Sequence, residues 1–416
     1  MSSQQVRVRD HAGASDRALA PDLARGAMLL LIALANVSAY LWGRPTTGAA
    51  VHPEPTNAAD AVLRFVMTVM VDGRALPMFS FLFGYGMVQF AQARRARHFP
   101  EDTIRRFLRR RHLALIAFGV THAALLFHGD VLGTYGLIGL GLVALLFGRR
   151  ERTLRVWAWV LFALAVIVAV GTLIGGLWLN SIPATAADIE AQRQVDAAYL
   201  RLFEPMLGDV SYASSVAPRL WMWFIVWLQS VFSEIPLCIL LGWLAARRGL
   251  LDRPWEHRTV LRRIAVGGLA IGWLGGLPEA LLGAGVITLR SDATWAFFGL
   301  TYTSGAFAGI GYAALFGLLA ARIHDRGGFP HGLLLRAIQA IGRRSLTFYL
   351  WQSVVFAPLL CGWGLGLGRT LTTTGALALA AVVWAAGIPL ALMLESHGRR
   401  GPAEVVLRFL SYGRRR

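Results

Sequence analysis

Ten stretches of the chain are apolar nearly throughout, at residues 24–42, 74–93, 111–127, 130–147, 154–179, 220–246, 261–284, 294–321, 345–363 and 373–394. The polar segments between them alternate, one rich in arginine and the next poor in it. A helix crossing a bilayer needs roughly 20 mostly apolar residues. In hydrocarbon its backbone groups must be satisfied within the helix itself. The pattern therefore predicts an all-α, polytopic transmembrane bundle of about ten spans. Its parts are an N-terminal tail over residues 1–23, a single helical domain over 24–394 with an outer loop at 180–219, and an amphipathic tail over 395–416.

The shortest connection joins two of these spans. Leu113–Phe127 and Val131–Phe147 are separated only by His128-Gly129-Asp130, and arginine blocks lie beyond both far ends. Cytoplasmic loops carry the arginine excess, so the turn is expected at the outer face. His122 would then lie about 9 Å below the turn, at ~1.5 Å per helical residue. An ionisable side chain at that depth is expensive and marks a functional candidate.

The remaining polar segments predict smaller elements. Ala58–Val71 alternates at near-helical spacing, as a short interfacial helix would. Asn180–Arg219 carries Asp188, Glu190, Asp196, Glu204 and Asp209 in a helical pattern and reads as an amphipathic connector or a lid. His331–Ile341 reads as an inner amphipathic helix, and another begins at Gly401-Pro402-Ala403-Glu404 and ends at Tyr412-Gly413. The arginines that follow suit anionic lipid headgroups. Met1–Arg17 has no apolar core and no small-residue cleavage site, so no cleaved signal peptide is expected.

Charge sharpens this topology. Of 41 basic residues, 33 fall in the segments expected inside and 8 in those expected outside. That split predicts an even number of spans with both termini cytoplasmic, in the cell membrane. The net charge of +18 is spread over alternate loops and not over one face, which argues against nucleic acid. All the basic residues are arginine. Without lysine there is no Schiff-base chemistry, no pyridoxal-phosphate enzyme and no P-loop. Cys238 and Cys361 lie in apolar runs without disulfide or metal spacing.

Four places carry candidate chemistry. Asp22 and Arg25 open the first span, either as a helix cap with an orienting charge or as a site for an anionic group. Asp72 and Arg74 sit at the outer end of the second span, where Pro77 is expected to kink the helix. His122 and Asp130 form a His–carboxylate pair across the turn, the usual arrangement of a general base, with Tyr135 deeper on the partner helix. No third ligand at known spacing accompanies them, so no metal is expected. Glu234, before Pro236, falls near the centre of span six, where a carboxylate must be protonated, paired or facing water. Asn36, Ser38, Thr303, Ser304, Thr347, Tyr349, Gln352 and Ser353 add polar atoms inside spans, where helix–helix contact is their ordinary role. The glycine-rich run Gly362–Gly368 follows a span and lacks a preceding strand, so it is no dinucleotide fingerprint.

Several of these motifs together resemble the YeiB-like membrane proteins, also called domain of unknown function 418. The carriers are Asp22-x-x-Arg25-Gly26 with Asn36, and Phe79-Ser80-Phe81-Leu82-Phe83-Gly84-Tyr85-Gly86. They continue with Arg110-Arg111, Gly119, His122, Gly129-Asp130-Val131-Leu132 and Tyr135. Gly342-Arg343-Arg344-Ser345-Leu346-Thr347-Phe348-Tyr349-Leu350-x-Gln352-Ser353, Gly401-Pro402-Ala403-Glu404 and Tyr412-Gly413 complete them. The family is distantly similar to membrane acyltransferases of the heparan-glucosaminide acetyltransferase kind, which share the Asp-x-x-Arg-Gly opening. Those carry a histidine in the first outer loop, where this chain has only His52, in an unrelated context.

Two activities follow as expectations. In an acyltransferase, a donor such as acyl-CoA would enter from the arginine-rich side, and His122 with Asp130 would deprotonate a glycan or lipid acceptor. No permanently bound cofactor is then needed, and membrane lipids are the expected surroundings. In a small-molecule or proton-coupled transporter, Glu234 would titrate. No inverted repeat is visible, which weakens the carrier reading. A structural role as a partner protein is a third expectation.

Overall fold

Helix formers occur in the polar segments as well as the apolar ones, and several helices accordingly run beyond their apolar stretches. A computed structural model describes residues 18–44, 52–327 and 332–413, with side chains at all of these except 199, 200 and 202. The helices are α1 (Leu19–Ser38), α2 (Ala58–Met70), α3 (Ala75–Arg95), α4 (Glu101–Leu125), α5 (Leu132–Leu146), α6 (Glu151–Ser181), α7 (Ala186–Phe203) and α8 (Tyr212–Val231). After these come α9 (Ile235–Arg247), α10 (Arg258–Gly283), α11 (Phe298–Asp325), α12 (Leu333–Arg343), α13 (Ser345–Leu360), α14 (Thr373–Ser396) and α15 (Pro402–Tyr412). The all-α polytopic bundle is thus the architecture found. Met1–Arg17 and His331 lie outside the described residues.

Span by span there are differences. Among the described residues six helical stretches are long and apolar enough to cross a membrane alone, and a seventh if α8 and α9 count as one broken span. The other three expected spans are helices of another kind. α5 and α13 are shorter apolar helices, and α4 devotes its first half to Glu101, Asp102 and a run of arginines. Arginine is a good helix former and the two acids suit a helix N-terminus, so the helix starts ten residues before its apolar part. Pro77 does not kink α3, because the helix begins at Ala75 and a first-turn proline loses no intrahelical bond.

Polar contacts sort the helix ends onto two faces. At the arginine-rich face, Arg248 reaches Glu151 at 2.7 Å, Arg258 reaches Asp325 at 2.5 Å and Arg94 reaches the Tyr412 hydroxyl at 3.0 Å. At the opposite face the Trp42 indole donates to the Leu360 carbonyl at 3.1 Å, and Tyr212 donates to the Leu125 carbonyl at 2.9 Å. One hydrophobic core fills the arginine-rich half between α1, α3, α5, α9 and α11, and a second, around Tyr40, Phe127 and Phe356, fills the other half. α6 stands at the perimeter. Of its 31 residues only Leu154, Ala158, Ala169 and Gly176 are buried, which suits a helix facing lipid.

The segment between α6 and α8 is pinned at both ends. Arg290 pairs with Asp188 at 3.3 Å, Met206 and Leu207 are fully buried, and the Gly362 amide donates to the Leu207 carbonyl at 2.7 Å. The Thr185 amide and hydroxyl, with Arg290, hold the Asp188 carboxyl below its ordinary range.

With both native cysteines buried, engineered thiols report on sidedness against a low background. Ala191→Cys should label from outside intact cells, and Ser396→Cys, at the arginine-rich face, only after permeabilisation. Labelling of Ser396→Cys from outside would reverse the orientation.

Candidate functional site

The α4–α5 turn sets the first pair. The amides of Leu126 and Phe127 both donate to the His122 carbonyl, at 2.8 and 3.0 Å, and close α4 just after the histidine. The chain then folds back so that Asp130 points inward. Its Oδ1 lies 2.7 Å from His122 Nδ1, and its Oδ2 accepts from the Gly133 amide at 2.9 Å. The helices can close this far because residue 119 is glycine. A Cβ there would run into the backbone of Gly133 and lie 2.6 Å from the Asp130 carboxylate.

Direct contact between the expected partners is therefore present. In a neutral imidazole, the hydrogen bond to the carboxylate takes the Nδ1 proton and leaves the Nε2 lone pair free. Nε2 is buried and has no hydrogen-bond partner among the described residues. An orphaned basic nitrogen backed by a carboxylate is the arrangement a general base requires. The Tyr349 ring meets the imidazole edge-on at 5.4 Å, and its hydroxyl accepts from the Val131 amide at 3.3 Å.

Tyr135 goes elsewhere. Its ring packs between Phe79 and Phe83, and its hydroxyl lies 3.1 Å from Ser80 Oγ on α3. Position along the chain set only a depth for Tyr135 on the partner helix, and the side chain turns to the neighbouring helix α3.

A second His–carboxylate pair was not anticipated. Asp72 Oδ2 lies 2.8 Å from His52 Nε2, and His52 Nδ1 lies 2.9 Å from Ser38 Oγ. His52 is fully buried. Arg74, expected beside Asp72 at the surface, is also fully buried. It donates to the Gly272 carbonyl at 2.8 Å and to the backbone carbonyl of Asp72, not to its carboxylate. Sequence spacing offered little to find this pair, since His52 comes from the loop after α1 and Asp72 from the turn before α3, with Ser38 at the end of α1 joined to His52.

At the arginine-rich face the helices enclose a cavity of about 1320 Å³. Seven arginines line it, among them Arg25, Arg111 and Arg343, against the acids Asp22, Asp252 and Glu404. Its lining also includes Leu132, Tyr135 and Tyr349. Tyr349 thus touches both the cavity and His122. Asp22 is fully buried and takes Arg25 at 3.3 Å and Arg343 at 3.4 Å. The N-cap position falls to Ala18, because α1 starts at Leu19, and Asp22 lies inside the first turn. Arginines held this way offer planar donors to phosphate or carboxylate. Asp252, missed in the sequence, accepts from the Tyr85 hydroxyl at 2.9 Å and from Gln89 at 2.6 Å.

Glu404 ties the last helix to this cavity. Its Oε1 accepts from the amides of Leu346 and Thr347 at 2.8 and 3.1 Å, where α13 begins without a cap of its own. Glu404→Ala should cost about 0.5–2 kcal/mol, as loss of an N-cap does. An unchanged thermal midpoint, with α15 no more open to proteolysis than in the wild type, would contradict that assignment.

Glu234 stands apart from both pairs. The expected continuous span is broken over Phe232–Glu234, α8 and α9 meet at 55°, and Pro236 sits in the first turn of a new helix. The glutamate lines a separate slot between α6, α9 and α11. Among the described residues no three His, Cys, Asp or Glu side chains group as a metal site requires.

Residues 245–414 match the model of a family described as "Protein of unknown function (DUF418)". The chain is 29% identical to "Uncharacterized protein YxaH" of Bacillus subtilis (strain 168) over 380 residues, covering 86% of this chain and 83% of the relative. It is 26% identical to "Uncharacterized protein YeiB" of Escherichia coli (strain K12) over 415 residues, covering 95% and 96% of the two chains.

Proposed function

We propose that this YeiB-like, multi-pass membrane protein transfers an acyl group to a hydroxyl or amine acceptor, a glycan or a lipid, at the outer face of the cell membrane. The donor is of the acyl-CoA type and enters from the cytoplasm, towards which the positive-inside rule turns the arginine-rich face. The observation that carries this reading is the buried His122–Asp130 pair, whose imidazole keeps an Nε2 without a hydrogen-bond partner among the described residues and meets the ring of the cavity-lining Tyr349.

The arginines of the cavity suit the donor's phosphates, and Tyr135 and Tyr349 in the same lining suit its acyl end. His122 takes the proton of the acceptor as the acceptor oxygen or nitrogen bonds to the acyl carbon. The carbon–sulfur bond breaks, and the proton passes from the imidazolium to the departing thiolate. Asp130 keeps the ring in its tautomer and offsets the charge that forms.

Labelled acyl transfer from acyl-CoA in inverted vesicles tests the reading. If the wild-type protein moves no acyl group from any common acyl-CoA, the carrier reading takes its place. The break beside Glu234 favours that second reading, because discontinuous helices recur at carrier sites.

A further inference from the structure

We propose that a second site binds a lipophilic amine in the slot between α6, α9 and α11, with the Glu234 carboxylate as its counter-ion. The slot has a volume of about 280 Å³. On α9 its wall is formed at positions 234, 237, 241 and 244, and on α6 at positions 155, 158, 159, 162 and 165. These spacings put one continuous face of each helix on the slot. Ten residues on either helix make it roughly 15 Å long at ~1.5 Å per residue. Thr303 donates to the Ala165 carbonyl at 3.2 Å and joins α11 to α6 at the glutamate end.

The unmatched charge in this slot is the carboxylate. Glu234 is 7% exposed. No side chain among the described residues pairs or hydrogen-bonds with it, and its own backbone amide is the group that reaches it. The cation in the lining, Arg155, closes the far end, 3.7 Å from Glu151. A carboxylate in an apolar wall gains from a cation brought by a ligand. Trp159, Phe162 and Phe307 form a chain of edge-to-face contacts at 5.7 and 5.9 Å along the slot. Aromatic rings that share a slot with a carboxylate suit an ammonium group. The leucines of α9 suit its hydrocarbon chain.

Depth favours a free amphiphile over a phospholipid headgroup. α9 has 13 residues, so the carboxylate lies roughly 20 Å above the arginine-rich end of that helix, inside a hydrocarbon layer of about 30 Å. Entry is sideways, since Trp159 belongs both to the slot and to the lipid-facing perimeter and is 70% exposed. None of these residues lines the arginine cavity, so the site stands independently of acyl transfer.

The test uses the full chain in phosphatidylcholine nanodiscs with radiolabelled dodecyltrimethylammonium as probe. Binding should saturate and be displaced by dodecylamine but not by equal dodecanol. Glu234→Gln should weaken it about tenfold or more. Ala158→Phe, which fills the slot and keeps the carboxylate, should weaken it similarly and decides the matter alone if the glutamine variant does not fold. Unchanged binding in Ala158→Phe or in a folded Glu234→Gln overturns the proposal. So does equal displacement by dodecanol, or stronger displacement by dodecyl sulfate, which would make the slot a groove for lipid tails headed by Arg155.

Discussion

His122→Asn should abolish labelled acyl transfer while leaving the protein folded. The asparagine amide can still donate to Asp130, so the buried carboxylate keeps a partner, but it has no basic nitrogen. His122→Ala should lose transfer too, with a stability cost that the asparagine variant avoids, because it strands a buried carboxylate beside Gly119 and Gly133. Asp130→Asn should slow transfer by roughly 10²–10⁴-fold, the usual size of a general-base contribution. Its amide can donate as well as accept, which lets the wrong tautomer of His122 gain ground. His52→Asn belongs in the same series, since His52 and Asp72 form a pair of similar length. Loss of transfer in His52→Asn with full transfer in His122→Asn would move the base to the first outer loop. Normal transfer in both would remove histidine from the chemistry.

The second large effect concerns the contact between α1 and α12. A Cβ at Gly26 would run into the Ile338 carbonyl, and a Cβ at Gly342 into the Asp22 carbonyl. Each glycine thus lets the other helix's backbone approach. In both cases the obstacle is backbone, which cannot swing aside as a side chain can. Gly26→Ala and Gly342→Ala should each cost at the upper end of the ~1–3 kcal/mol typical of overpacking. Both should also part Arg343 from Asp22 and loosen the wall of the arginine cavity. Gly267→Ala is the control, because a Cβ there meets open space in α10 and should leave stability unchanged or raise it by up to about 1 kcal/mol. Thermal unfolding midpoints of the three variants in one detergent check this. Equal midpoints would show that α12 can move off α1 freely.

Those two glycines also explain why the opening Asp22-x-x-Arg25-Gly26 and the later Gly342-Arg343 read as linked motifs. They are two halves of one contact, and the charged residues beside each glycine meet across it. Local pattern carried the helices, because burial in lipid demands long apolar runs whatever their neighbours are. The three-residue turn carried the His122–Asp130 pair, because so short a connection leaves few ways to place the aspartate. The direction of Tyr135 was not legible, since two helices compete for a side chain at that depth. His52 with Asp72, and Asp252 with Tyr85, depend on which loops meet at each face, and no spacing along the chain encodes that. The break at Glu234 was half legible. Pro236 marked the place, but a kinked helix and a restarted one begin with the same residues.

The capping of α13 by Glu404 bears on how the protein is made. A ribosome delivers α1 first and α15 last of the described helices, and the arginine cavity takes wall residues from both. Until Glu404 emerges, the first amides of α13 lack their acceptor and the cavity lacks one side. A nascent chain can therefore insert every apolar helix and still hold no enclosed basic chamber. The wall of the cavity is completed only when α15 docks, so a chain interrupted before Glu404 would carry its apolar helices without that wall.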